Sequence, residues 1–497
     1  MPSTKSHAEA KADIFLAKAK EAAAVFNQLD QEHTDRIVRA VFKAGLKNRI
    51  GLAKMAETET GMGKWEDKVI KNTAATLLVY EDMKYLKTVG IISDDHECGI
   101  MEVAQPIGPL LGIVPVTNPT STTLFKILIA LKTRNPIIIS PHQKAIGCSV
   151  AAAKVCYEAA LSEDAPENCI QWTHNEPLDF TKFDIQDYYA ETQALMAHKD
   201  LALIIATGGG GIVKAAYTSG TPALGVGSGN VPVLIEQTAD IPFAVQQIIT
   251  SKTFDNGTIC ASEQAVVVES SVSAQVIEEF KKQKGYFLSE EEVGAVEKIA
   301  IDPERGVMSA KVVGQTAVKI AKMAGISVPE DTKVLLAPLS SVGKEHPLSS
   351  EILCPILAFF IAENFNDALN RCIELNFHGG MGHSAAIYSN KEQAVREYAV
   401  AMNAGRVLVN VPSSQGAVGG IYTKLHTSLT LGCGTSGHNI TTDNVTARNL
   451  LNIQRVARRR VNEKLENFGK IEKNGTSLFF DESISTEDLL AAFNKNH

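Results

Sequence analysis

No apolar run in this chain is long enough to cross a bilayer, which excludes a helical membrane anchor. The opening "MPSTKSHAEAKADIF" lacks an apolar core stretch and is not read as a secretory signal. Cysteine is sparse, with eight in 497 residues, at 98, 148, 156, 169, 260, 354, 372 and 433. There is no CxxC pair and no Cys/His cluster at zinc spacing, so neither a disulfide framework nor a metal site is expected. Free thiols in a reducing cytoplasm are expected, most of them buried as small hydrophobes. Positive charge is not in excess: the net charge is −8, which argues against a nucleic-acid partner. No internal repeat and no low-complexity linker is found. The remainder is ordinary for a soluble globular protein, at 45% hydrophobic and 21% charged. The length predicts two or three domains.

Residues 8 to 60 read as helical, with Ile14, Phe15, Val25, Phe26 and Leu29 at roughly helical spacing. After about residue 100 short apolar runs appear between Gly, Pro and Asn: "PLLGIVPV", "PIIIS", "LALIIAT", "VPVLIE", "AVVVE" and "KVLLAPL". Helical stretches such as "TLFKILIALKT" and "CSVAAAKVCYEAAL" lie between several of them. This alternation predicts an α/β fold of parallel units, with loops at the strand ends free to bind. Residues 461–497 read as a peripheral tail, closed by a short helix with a cap at Ser485 and Asp488.

Three stretches carry chemistry. "TGGGGIVKAA" follows an apolar strand and offers bare backbone N–H groups at a helix start, a setting for a dinucleotide or phosphate. It does not match GxGxxG, and a ligand-free turn competes evenly with binding. Cys260 in "FDNGTICASEQ" has small neighbours that would let a substrate approach. Most cytosolic cysteines are inert, so residue type alone favours the bland reading. Asn118 ends a strand and offers an amide donor to a developing oxyanion. Taken alone, it is better read as the N-cap of the helix beginning "PTSTTLFK".

Together, "VPVTNPTSTTLFK", "IIISPHQKA", "ATGGGGIVKAAYTSGTPALGVGSGNVPV", "KTFDNGTICASEQ" and "TSLTLGCGTSGHN" resemble the coenzyme A-acylating aldehyde dehydrogenases. "ETGMGKWEDKVIKN" and "GMGHSAAIYS" fit the same pattern. The match is best to the aldehyde dehydrogenase half of bifunctional aldehyde–alcohol dehydrogenase, from about residue 10 to about 460. The iron-dependent half has no counterpart, so a stand-alone enzyme or an excised domain is expected.

The resemblance implies a Rossmann-like NAD-binding domain over 1–240, interrupted by an oligomerisation arm near 94–106. A catalytic domain over 241–430 and an interface segment over 431–460 follow, in a homodimer or larger cytoplasmic assembly. It implies Cys260 as nucleophile, with Asn118 and the Cys260 N–H holding the oxyanion. Cofactor contacts map to Ile113, Val114, Pro115, Val116, Thr117, Ser140, His142, Gly208, Gly209 and Gly227, with Glu351 beside the nicotinamide ribose. NAD is favoured over NADP, coenzyme A is the co-substrate, and His383 is a candidate for the coenzyme A side. Acetaldehyde is the expected aldehyde; related enzymes use propanal, succinate semialdehyde or sulfoacetaldehyde.

Hydrolytic relatives carry a water-activating glutamate in an "ELGGK"-like turn. The matching "GVGSGN" has no carboxylate, which disfavours hydrolysis to the free acid. Glu263 is read as structural rather than as a substitute base, and Cys433 as a turn residue rather than the nucleophile. A non-catalytic scaffold is the reading from a different class, and the intact Cys260, Asn118 and glycine set argues against it.

Overall fold

The computed structural model describes residues 6–174, 185–304, 306–460, 472–473, 476–477 and 483–494. The chain forms two compact units: Met1–Thr88 with Pro106–Leu451, and Val89–Gln105 with Asn452–His497.

The larger unit opens with three helices, His7–Phe26, Gln31–Lys47 and Arg49–Thr60. The first of them buries Ala12, Leu16, Ala19, Ala22 and Phe26, an alanine stripe at helical spacing. Ile14 and Val25, expected on the apolar face, lie instead toward solvent at 58% and 49% exposure. Small side chains let that helix pack close, so the buried face is set by alanine rather than by the largest residues.

Two parallel sheets follow. The first has five strands in the spatial order Ile170–Trp172, Ile137–Ser140, Leu110–Ile113, Leu203–Thr207 and Ala223–Val226. Both middle neighbours of Leu110–Ile113 run parallel to it, in register Leu110 with Ile137 and with Leu203. Helices Pro119–Lys132 and Ile146–Leu161 connect the strands, and the first of these is buried along all its residues. Strands covered on both faces need continuous apolar runs, which is why "LLGI", "IIIS" and "LIIAT" have no alternation. The chain order reverses between Leu110–Ile113 and Leu203–Thr207. Ligands in open α/β sheets bind outside the carboxyl ends at such a switch. The loops leaving it are Val114–Asn118 and Gly208–Gly209.

The second sheet has seven strands, in the order Gly285–Phe287, Val334–Pro338, Ile356–Ala362, Glu263–Glu269, Val231–Ile235, Ala385–Tyr388 and Val407–Val409. Glu263–Glu269 is central and fully buried. All of the runs quoted as strands from the sequence are strands.

In the smaller unit, Gly90–Asp95 and Ile100–Pro106 pair antiparallel and share a three-stranded sheet with Leu451–Ala457. Arg455 meets Glu102 at 3.0 Å and Arg458 meets Asp94 at 2.7 Å. Helix Thr486–Asn494 carries the expected cap: Asp488 N–H donates to Ser485 Oγ at 3.1 Å and Ser485 N–H to the Asp488 carboxylate at 3.3 Å. Most of the expected tail lies outside the described residues.

Candidate active site

Cys260 sits on the turn immediately before the central strand Glu263–Glu269. Six of the other seven cysteines are buried and Cys98 is exposed; Cys260 alone has intermediate exposure. Although the residue keeps an opening to solvent, protein atoms crowd its sulfur. That burial, with Glu351 adding to it, pushes the thiol up to about 12.

His383 Nε2 lies 3.2 Å from Cys260 Sγ, and its Nδ1 lies 3.0 Å from Ser384 Oγ. His383 is fully buried, and burial together with the Arg406 charge lowers it to about 3. Both groups are therefore neutral at rest, with the imidazole lying between the thiol and the Ser384 hydroxyl. Arg406 reaches this corner through the Thr442 carbonyl, at 3.0 Å, and the Gly432 carbonyl.

The "GVGSGN" turn passes tightly against this pair. A Cβ at Gly229 would come 2.5 Å from the Cys260 carbonyl oxygen and 2.9 Å from His383 Cγ. Gly229 N–H donates to Glu351 at 2.9 Å, and burial pushes the Glu351 carboxyl up to about 7.

Across the site, Asn118 occupies the residue before helix Pro119–Lys132 but makes no side-chain cap bond. The capping reading is thus overturned. Asn118 Nδ2 donates to the Thr258 carbonyl and to Thr117 Oγ1, both at 3.1 Å, and Oδ1 accepts from Lys71 at 2.6 Å. The amide stands beside the turn that carries Cys260.

A thiol paired with a buried imidazole, beside an amide N–H, can add to a carbonyl carbon and hold the oxyanion that forms. The profile of the Aldehyde dehydrogenase family matches residues 2–423. The chain belongs to the aldehyde dehydrogenase family.

Among its relatives is the aldehyde-alcohol dehydrogenase 2 of Entamoeba histolytica, 46% identical over 439 residues, which are 87% of this chain and 49% of that protein. Another is the bifunctional aldehyde-alcohol dehydrogenase of Escherichia coli, 44% identical over 457 residues, 91% of this chain and 50% of that one. The chain spans about half the length of these curated relatives. A crystal structure of an acetylating aldehyde dehydrogenase from Geobacillus thermoglucosidasius superposes with a TM-score of 0.86 at 45% identity, covering 91% of this chain and 97% of that one.

The residues expected at the cofactor divide into three groups. Gly208 and Gly209 precede helix Gly210–Thr218, and a Cβ on Gly209, Gly210, Gly211 or Gly227 would meet nothing within 4 Å. That open, bare backbone fits a pyrophosphate at a helix start. Ile113, Val114, Pro115, Val116 and Thr117 line the switch-point loop, with Ile113 and Val114 buried and Val114 N–H donating to the Ser140 carbonyl. The Ser140 hydroxyl lies 3.0 Å from Thr192 Oγ1, in the interior. His142 accepts from Lys144 N–H at 3.1 Å, and burial lowers it to about 4.

Glu263 is fully buried and accepts from Ser413 N–H at 2.9 Å, tying strand to helix Ser413–Val418. Cys433 Sγ donates to the Leu431 carbonyl at 3.4 Å.

Sequence reasoning assigned no role to Lys68, Lys71, Asp255 or Thr258. Lys68 and Lys71 both reach Asp255 Oδ2, at 2.9 and 2.5 Å. Burial raises the Asp255 carboxyl, but the two lysines outweigh it and hold it below the usual range. Asp255 and Asn256 both adopt left-handed backbone, with φ of 48° and 52°. The one available signal was two lysines three apart in "WEDKVIKN", on one helix face. Gly63 backs this cluster at φ 77°, and a Cβ there would overlap Asp255 Oδ1. Gly63→Ala is therefore expected to cost about 2–4 kcal/mol, read as a lower urea midpoint with an unchanged m-value.

Proposed function

We propose that this chain is an acylating aldehyde dehydrogenase that converts an aldehyde, NAD and coenzyme A to acyl-CoA, NADH and a proton, reversibly, with acetaldehyde as its aldehyde. The carrying observation is the 3.2 Å contact between Cys260 Sγ and His383 Nε2. The partner of the thiol is an imidazole, and the buried carboxyls of Glu351 and Glu263 are each engaged by a backbone N–H. The imidazole can exchange protons with both thiols, and the "GVGSGN" turn brings no carboxylate to the thioester to activate water.

Cys260 Sγ adds to the aldehyde carbon, and its proton passes to His383. The carbonyl oxygen becomes an oxyanion facing Asn118 Nδ2 and the Cys260 N–H. NAD, when bound, supplies the hydride acceptor. Loss of hydride leaves a thioester on Cys260. The coenzyme A sulfur then attacks that carbonyl, the bond to Cys260 breaks, the Cys260 sulfur regains a proton and acyl-CoA departs.

The glycine start of helix Gly210–Thr218 and the Val114–Thr117 loop would hold the nucleotide, with Glu351 at its ribose. On this reading 1–240 serves the cofactor, 241–430 catalysis and 431–460 a contact between copies of a homo-oligomer. One contact supports NAD over NADP. Glu59 caps helix Ile146–Leu161, next to the Ser140–His142 strand end, accepting from Gly147 and Cys148 N–H at 2.8 and 2.7 Å. A carboxylate already fills that helix start, where an added phosphate would be repelled. Among the described residues no helix is long and apolar enough to cross a membrane.

The test follows NADH absorbance with NAD and acetaldehyde, with and without coenzyme A. Strictly coenzyme A-dependent NADH formation is expected. Comparable turnover without coenzyme A would mean that water resolves the thioester, and the acylating reading would fail.

A further inference from the structure

The helix Trp65–Thr73 turns Lys68 and Lys71 inward, where they are 3% and 4% exposed. Asp255 gathers them. Its Oδ1 accepts from Lys64 N–H at 2.7 Å, its Oδ2 from both lysines, and its own N–H donates to Asp67 at 2.8 Å. Two lysines and two aspartates leave the cluster with no formal net charge. As a structural ion cluster it is complete without Asn118.

Lys71 nonetheless has a third bond. Its ammonium carries three protons, and they go to Asp255 Oδ2 at 2.5 Å, Thr258 Oγ1 at 2.9 Å and Asn118 Oδ1 at 2.6 Å. A cation at the amide oxygen forbids the flipped amide, which would aim its NH2 at the ammonium. Nδ2 is thereby kept on the side of the Thr258 carbonyl, two residues before Cys260. The same contact draws electron density toward Oδ1 and makes the N–H groups better donors.

We propose that Lys71 is a positioning residue that locks the Asn118 amide with Nδ2 toward the Cys260 turn and strengthens it as an oxyanion donor. It touches no reacting atom. The rotatable Thr117 hydroxyl is the partner that gives up its N–H when the oxyanion forms. This rests on the reading of Asn118 given under the proposed function.

The experiment is a double-mutant cycle on coenzyme A-dependent NADH formation, with the rate of Cys260 alkylation by iodoacetamide measured alongside. Asn118→Ala is expected to lower kcat by roughly 10^2–10^3. Lys71→Met is expected to lower it about 10–100-fold, with the aldehyde KM within about threefold and alkylation unchanged. Combined with Asn118→Ala, it should cost less than about threefold more. Lys71→Gln still offers an N–H but no charge, and should lose about 3–10-fold in the wild-type background and nothing in Asn118→Ala. That variant decides the matter if Lys71→Met does not fold. Losses that multiply with Asn118→Ala, alkylation falling in step with kcat, or Lys71→Gln at the wild-type rate would each overturn the proposal. Asn118→Ala at the wild-type rate would instead sink the oxyanion reading itself.

Discussion

Cys260→Ala is expected to lower kcat by at least about 10^4-fold, with a folded protein that still binds nucleotide. The thiol is the atom on which the acyl group rests between the two half-reactions, so no other side chain inherits its role. The substitution removes one atom from a residue of intermediate exposure and leaves the turn before strand Glu263–Glu269 intact. Cys433→Ala is the control and should stay within about tenfold of wild type, because its sulfur donates to the Leu431 carbonyl in a tight turn. Mass spectrometry of enzyme mixed with NAD and acetaldehyde, without coenzyme A, should find an acetyl group on the Cys260 peptide and none on the variant. An acetylated Cys433 would reassign the nucleophile.

His383→Ala is expected to lower kcat/KM by roughly 10^2–10^4 near neutral pH. Burial pushes the Cys260 thiol up to about 12 and lowers His383 to about 3. At pH 8 a thiol of that acidity is ionised in roughly one molecule in 10^4. Wild-type enzyme has an imidazole 3.2 Å from the sulfur, placed to take the proton as the carbon–sulfur bond forms. The variant must draw its thiolate from solution. The sign follows: a raised thiol pKa means more thiolate as pH rises, about tenfold per unit below the pKa. A log–log plot of kcat/KM against pH should therefore approach unit slope between pH 7 and 9 in His383→Ala and be flatter in wild type. Equal slopes in the two proteins would remove His383 as the proton acceptor.

The parts of the fold legible in the sequence are those whose signal is local. A strand covered on both faces must be apolar throughout, so "PIIIS" and "LALIIAT" announced themselves. The glycine loop was legible for the same reason, since bare backbone at a helix start is written in adjacent residues. Cys260 was found through resemblance, because it precedes its strand in a parallel sheet whereas ligand loops usually follow theirs. Relations between distant residues were not legible. Asn118 taken alone reads as a cap, its oxyanion role comes from resemblance, and the hold of Lys71, 47 residues earlier, on its oxygen leaves no local sign. The nearness of His383 to Cys260 spans 123 residues and leaves no periodic trace. Helical spacing placed the first helix, but its contact face is made mainly by alanines, with Ile14 and Val25 toward solvent.

That separation of 123 residues also has a temporal side. A ribosome adding about 5–20 residues per second delivers Cys260 some 6–25 seconds before His383. Until the fold closes, the thiol is an ordinary one with a value near 9.0, against about 12 once it is buried. The nascent chain thus exposes roughly 10^3 times more thiolate at this position than the finished enzyme does. The raised value is acquired only when the fold closes, together with the pairing to His383.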